Sequence, residues 1–219
     1  HMCVSPFPEW YTKDLGKRWL TMETLLKHWP ANMWIQTPLE LTDRLLTEHD
    51  IKKDDIAEII VDPPTYLRMY YSPDGYSSMM QAQFSIPYML ACLILDHTPG
   101  ANWCDETKLK DSEILALAAK IHGGNSDMLY MPQCFKNFQK GRHPVITVTI
   151  KTFSGKEYSE TMEGHLGHPR MMMTPEQFKD RFRIQAAPTL RGDKLEQVAD
   201  LLANVERCDD MAKVGELLR

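Results

Sequence analysis

The segment from Ser78 to Asp96 constrains the fold more than any other. Met79, Met80, Phe84, Ile86, Tyr88, Met89, Leu90, Cys92, Leu93, Ile94 and Leu95 surround a helical axis almost completely. A helix that is apolar all round has to be covered all round, in a core or beneath another domain. Pro87 lacks the amide hydrogen an unbroken helix would need, so the spacing predicts a kink or a fresh start near Ser85. The apolar run from Phe84 to Leu95 is interrupted by Ser85 and Pro87 and falls short of the roughly 20 residues of a membrane span. A second helix, capped by Asp111, has Ile114, Leu115, Ala118 and Ile121 as its face and Gly123-Gly124 as its stop.

Other elements are expected around this helix pair. Residues Tyr11 to Leu15 suggest a helical turn closed by Gly16, and Trp19 to Lys27 alternates as a strand or extended segment ending at Lys27. Pro30 stops it. A helix begins near Ile35, with Ile35, Leu39, Thr42, Leu45 and Leu46 on one face and Thr37-Pro38 as cap and first turn. Ile56 to Val61 forms a β-branched strand stopped by Pro63-Pro64. Thr65 to Tyr71 suits one or two helical turns, and Ser72-Pro73-Asp74-Gly75 a tight turn. Residues 125–143 lack a pattern. Val145 to Met162 is a hairpin turned at Phe153-Ser154-Gly155-Lys156. Gly164 to Met173 is a loop, and Thr174-Pro175-Glu176-Gln177 is a capping box that opens a series of amphipathic helices. The expected class is α+β: a small antiparallel or mixed sheet of three to four strands packed with helices over residues 1–173, then a helical tail over 174–219.

The totals narrow the function. The 219 residues carry a net charge of −5 with no basic run, which excludes nucleic acid as a natural partner. Five scattered cysteines without C-x-x-C spacing suit reduced thiols in the cytoplasm better than a disulfide frame or a zinc site. No signal peptide or membrane span is visible, and His1 ahead of Met2 reads as a cloning remnant on a piece of a longer protein. There is no G-x-G-x-x-G, no G-K-[ST] and no G-x-S-x-G. His165 and His168 are three apart but lie among glycines without a third ligand, so no metal is expected. Cys134 has no base near it in sequence.

Chemistry concentrates in Lys27 to Glu40, at a boundary between elements, where binding groups gather. Lys27 is a point charge suited to a carboxylate, and a desolvated lysine can trade protons. Asn32 and Gln36 add two amides, and Tyr70 or Tyr71 can place a phenol on the same rim. On the residues alone a purely structural junction weighs more: tryptophans filling core, amides satisfying turn backbone, and Lys27 snorkelling to water.

The series Leu15-Gly16-x-x-Trp19 and Lys27-x-x-Pro30-Ala31-x-x-x-x-Gln36-Thr37-x-x-Glu40 resembles the C-terminal region of the MmgE/PrpD family. Ala82-Gln83-Phe84-Ser85-Ile86-Pro87-Tyr88-Met89-Leu90-Ala91 is similar to its A-Q-F-S-L-P-Y-x-x-A helix. The hairpin, Gly167 to Pro169, and Thr174-Pro175 to Arg181-Phe182 follow in the same order, so the resemblance runs from about Phe7 to Leu218. It implies a lyase- or isomerase-type enzyme without metal or organic cofactor, similar to 2-methylcitrate dehydratase, cis-aconitate decarboxylase or iminodisuccinate epimerase. Such an enzyme takes a proton next to a carboxylate of a small di- or tricarboxylate. It further implies Lys27 and Tyr70 as catalytic groups and Asn32 and Gln36 as substrate-binding groups. A large helical N-terminal domain would close the cleft and receive the tail, so this stretch by itself is expected to be inactive. Asn32 stands where decarboxylase-like members have histidine. Gln36, Thr37 and Glu40 are closer to the methylcitrate dehydratase form. A second reading is a non-catalytic interaction or dimerisation domain whose apolar helix faces bind a partner or a second copy.

Overall fold

The computed structural model describes residues 12–138 and 142–218. It begins with turns. Gly16 closes the first of them at φ +76°, a conformation natural to glycine, whereas Tyr11 of the expected turn lies outside the described residues. The strand expected at Trp19 to Lys27 does not form. A 3-10 turn occupies Leu20–Glu23, and residues 24–27 run without regular structure. Among the described residues no strand pairs with it. The backbone is instead tied to a loop, with the Leu26 amide donating to Gly167 O at 2.9 Å.

A 3-10 turn at Met33–Ile35, capped by Asn32, leads into helix α1, Gln36–Glu48. Ile35, Leu39, Thr42, Leu45 and Leu46 are all buried as their spacing predicts. Thr37 is not the cap. The helix starts one residue earlier, and the Thr37 hydroxyl donates to Gly164 O at 2.6 Å. Strand β1 follows at Ile56–Asp62. Thr65 to Tyr71 makes a turn rather than a helix, because Thr65 bridges in parallel to Leu129 and Leu67 takes a positive φ of +57°. Ser72 to Gly75 is the expected tight turn.

The apolar segment breaks where Pro87 requires it. Helix α2 spans Met79–Ala82 and α3 spans Ile86–Leu95. Ser85 caps α3: its hydroxyl oxygen accepts from the Tyr88 amide at 3.2 Å and its hydrogen goes to Tyr70 O at 2.8 Å. Tyr76 must therefore be the donor in its 2.9 Å contact with Ser85 Oγ. Every residue from Ile86 to Ile94 is buried. Asp111 caps α4, Ser112–Ala118, through the Glu113 and Ile114 amides. That helix stops short of Ile121, which opens strand β2, Ile121–Gly123. The patternless stretch contains a helix, α5, Met131–Phe138.

Strands β3, Val145–Thr152, and β4, Glu157–Glu163, form the hairpin. The sheet order is β2-β1-β3-β4, with β2 parallel to β1 (Ile59 opposite Ile121) and the other pairs antiparallel. Ile59, Val61, Ile146, Val148 and Ile150 are buried, and α1 and α3 pack on the sheet and on each other. On the exposed side the hydroxyls of Thr147 and Thr149 meet those of Thr161 and Ser159 at 2.8 and 2.9 Å. The architecture is α+β, a mixed four-stranded sheet packed with helices. The tail consists of α6, Pro175–Ala186, α7, Asp193–Ala203, and α8, Ala212–Leu217. The Thr174 capping box opens it as its sequence predicts. Among the described residues no helix is long and apolar enough to cross a membrane.

Candidate functional site

Gln36 organises the stretch that carries Lys27. Its side chain is fully buried, and Oε1 accepts from the His28 and Trp29 amides at 3.0 and 2.9 Å. Nε2 lies within donating distance of the carbonyls of Trp29, Ala31 and Asn32, at 3.0 to 3.4 Å. One amide thus closes the Pro30-Ala31 turn from inside, in a place where an unmet backbone group would be costly. Gln36 has no polar atom left over to offer a ligand. It shapes the wall from behind.

Lys27 lies just before this clasp. The chain on either side of it is held: His165 Nε2 is 3.2 Å from Leu26 O, and Arg181 of α6 donates to His28 O. His28 Nδ1 and Trp29 Nε1 both meet Glu40 Oε2, at 3.0 and 3.2 Å, so that carboxylate is already engaged. The Lys27 side chain itself is exposed and makes no hydrogen bond or ion pair among the described residues.

Asn32 Oδ1 accepts from the Trp34 amide at 3.2 Å and from Arg68 Nε at 3.3 Å. Two donors fix which way the amide is turned, leaving Nδ2 as a donor with no partner among the described residues. Arg68 gave no signal by periodicity, although it is the one charge in the run Tyr66 to Tyr71. Its guanidinium carbon sits 4.6 Å from the centre of the Phe84 ring, a cation–π contact, and NH1 donates to Leu67 O at 2.8 Å. Burial pulls its pKa below the usual arginine value. Tyr70, two residues on, is joined to Lys27, Asn32 and Gln36 by no hydrogen bond; its hydroxyl donates to Gln81 O. Burial, reinforced by Tyr76, pushes its pKa up to about 12. At neutral pH Tyr70 is therefore a proton donor and not a base.

Behind this wall lies a cavity of about 260 Å³ between Leu25, Trp34, Phe135, Ile146 and His165. His165 and His168, three apart in sequence, turn to different partners. Arg170 N–H donates to His168 Nδ1 at 3.0 Å, so the proton of the neutral ring is on Nε2, which faces His143 Nε2 at 2.5 Å. Burial first, then the neighbouring His143, His165 and Arg170 charges, hold His168 down to about 4. No group of three His, Cys, Asp or Glu side chains suited to a metal occurs among the described residues. Cys134 is buried in α5, and burial raises its thiol pKa.

Asn32 and Arg68 are thus brought together by a hydrogen bond, whereas no hydrogen bond or ion pair among the described residues joins Lys27 to either of them. Over 178 residues the chain is 22% identical to human (Homo sapiens) cis-aconitate decarboxylase, covering 77% of this chain and 35% of that protein, so it spans about a third of the relative's length. A family model described as the MmgE/PrpD C-terminal domain matches residues 29–207, most of the chain including Asn32, Arg68 and the tail helices α6 and α7, and on that match this protein belongs to the MmgE/PrpD family.

Proposed function

We propose that this chain is the C-terminal, cleft-forming part of a cofactor-independent lyase- or isomerase-type enzyme, 2-methylcitrate dehydratase-like, that acts in the cytoplasm on a small di- or tricarboxylate. The observation that carries the reading is Lys27: its backbone neighbours are fixed on both sides while its ammonium has no protein partner among the described residues. Such a lysine is held in place for something outside the chain. Lys27 holds and polarises a substrate carboxylate, which acidifies the adjacent C–H bond. Asn32 Nδ2 orients the substrate, and Gln36 contributes to binding by fixing the turn that presents both. Tyr70 delivers a proton, breaking its bond to Gln81 O as it does so. The base that removes the C–H proton comes from the family's helical N-terminal domain, onto which the tail packs.

The test uses the full-length protein and candidate polycarboxylates. Lys27→Ala should lower turnover by about 10²–10⁴-fold, the usual range for a positioned acid–base group, with an unchanged melting temperature because the side chain is exposed. Unaltered turnover in this variant would sink the assignment. The relative supports the class of substrate, and asparagine in place of the histidine of decarboxylase-like members disfavours decarboxylation as the outcome.

A second reading, an interaction or homodimerisation module, draws on the groove between α6 and α7, where Phe178 and Leu202 are 40% and 37% exposed. Size exclusion across concentrations, with and without residues 174–219, separates the two. A monomer throughout counts against the module.

A further inference from the structure

The cavity of about 260 Å³ carries two polar atoms that the protein leaves unused. His165 and Thr65 both line it, and at 5% and 3% exposure each is more than nine-tenths buried. His165 Nε2 lies 3.2 Å from Leu26 O. A carbonyl can only accept, so Nε2 carries the ring proton and Nδ1 presents a bare lone pair. Burial lowers the pKa of this imidazole, so it stays neutral at physiological pH. Neither His165 Nδ1 nor the Thr65 hydroxyl has a hydrogen-bond partner among the described residues. Nor is either shut off: the unpartnered polar side-chain atoms without accessible surface lie elsewhere, Thr42 Oγ1 among them. The unused atoms therefore face open space, and the space that these two buried residues line is the cavity.

Both residues are held in place. Thr65 bridges to Leu129, whose amide donates to Pro64 O at 2.8 Å, and His165 is tied to Leu26. Elsewhere in the wall Thr37 Oγ1 donates to Gly164 O at 2.6 Å, and His143 Nε2 meets His168. Leu25, Trp34, Phe135 and Ile146 supply hydrocarbon, and no Asp, Glu, Lys or Arg lines the cavity among the described residues. A charged ligand would lose its hydration there without gaining a counter-charge. Water can meet the two polar atoms but gains nothing from the remaining wall. An apolar cavity of about 150 Å³ takes benzene, so this one has room for a ring with a short side chain.

We propose that this cavity is a binding site for a neutral, ring-sized apolar molecule with one hydroxyl, which donates to His165 Nδ1 while Thr65 offers a second polar contact. A few convergent polar groups in a mostly apolar hollow are what a small-molecule site requires. The site goes beyond the polycarboxylate reading and stands without it, since Lys27, Asn32 and Tyr70 do not line the cavity.

Titration calorimetry of the full-length protein with para-propylphenol, propylbenzene and para-propylbenzylamine tests this. The phenol should bind one to one and at least about fivefold more tightly than the hydrocarbon, the worth of a hydrogen bond to an otherwise unmet acceptor. The amine, a cation at neutral pH, should not bind detectably. His165→Gln keeps a donor for Leu26 O but removes the acceptor, and should bring the phenol down to the affinity of the hydrocarbon. Thr65→Val removes an unpaired hydroxyl at nearly constant volume and should narrow the difference. Leu25→Trp, which fills the cavity from an irregular segment, should abolish binding of both. Circular dichroism establishes that each variant is folded. No binding of the phenol at millimolar concentration, equal affinities for phenol and hydrocarbon, or binding untouched by Leu25→Trp would each overturn the site. So would a preference for the phenol undiminished by both polar substitutions.

Discussion

At the scale of single residues, Gln36 shows how one buried side chain can fix the course of the chain that follows Lys27. Replacing it by leucine keeps the volume but removes the acceptor for two amides and the donor for three carbonyls. At about 1–3 kcal/mol for each buried group left unmet, Gln36→Leu should cost about 2–4 kcal/mol in urea unfolding. His168 gives a pH dependence. Its folded-state pKa of about 4 lies below the ordinary 6.5, so above about pH 6.5 neither state is protonated and the fold keeps its full stability. As pH falls, the unfolded chain takes up the proton first. Stability is lost between about pH 6.5 and 4, and this group adds no further loss below that. Urea midpoints across that interval should fall less steeply for His168→Asn, whose side chain can still accept from the Arg170 amide. The sequence showed the residue types of this region clearly: Lys27 and Asn32 were legible as polar groups at an element boundary. The direction each one faces was not, because it depends on partners far along the chain, Arg68 for Asn32 and Gly164 to His168 for the segment before Lys27.

At the scale of elements, legibility followed pattern length. The apolar helix, its restart at Ser85, the hairpin and the Thr174 capping box each have several mutually supporting signals, and each formed where it was expected. Strand β2 is three residues long and exists because β1 offers a parallel edge, a long-range circumstance with no local trace. Helix α5 was hidden by Pro132, which is tolerated in a first turn as readily as it breaks an interior one. The segment Trp19 to Lys27 failed in the opposite sense, with strand alternation but no strand among the described residues to pair it. The α3 helix sets the strongest expectation for packing. Leu90 is fully buried at its centre, and Leu90→Ala should destabilise the chain by about 2–5 kcal/mol, measurable as a lowered urea midpoint at unchanged slope.

At the scale of the whole molecule, the stretch from Leu26 to Gln36 is where distant parts of the chain converge. The loop after β4 pins Leu26, α6 reaches His28 through Arg181, and Gln185 of the same helix donates to Pro99 O at 2.6 Å. Gly167 makes the first of these possible. Its φ is +100°, and a Cβ there would stand 2.4 Å from Leu26 O, so no other residue allows the loop to approach so closely.

The strand order β2-β1-β3-β4 also has a temporal side. The β3–β4 hairpin closes over four residues, whereas β2 reaches β1 only after all of residues 63–120 have been laid down between them. Local pairings form early and distant ones late, and an edge held on one side is the first to open. In native-state hydrogen exchange, the amides that join β2 to β1 should therefore exchange before those joining β3 to β4. If the two sets exchange together, the sheet opens as a single unit.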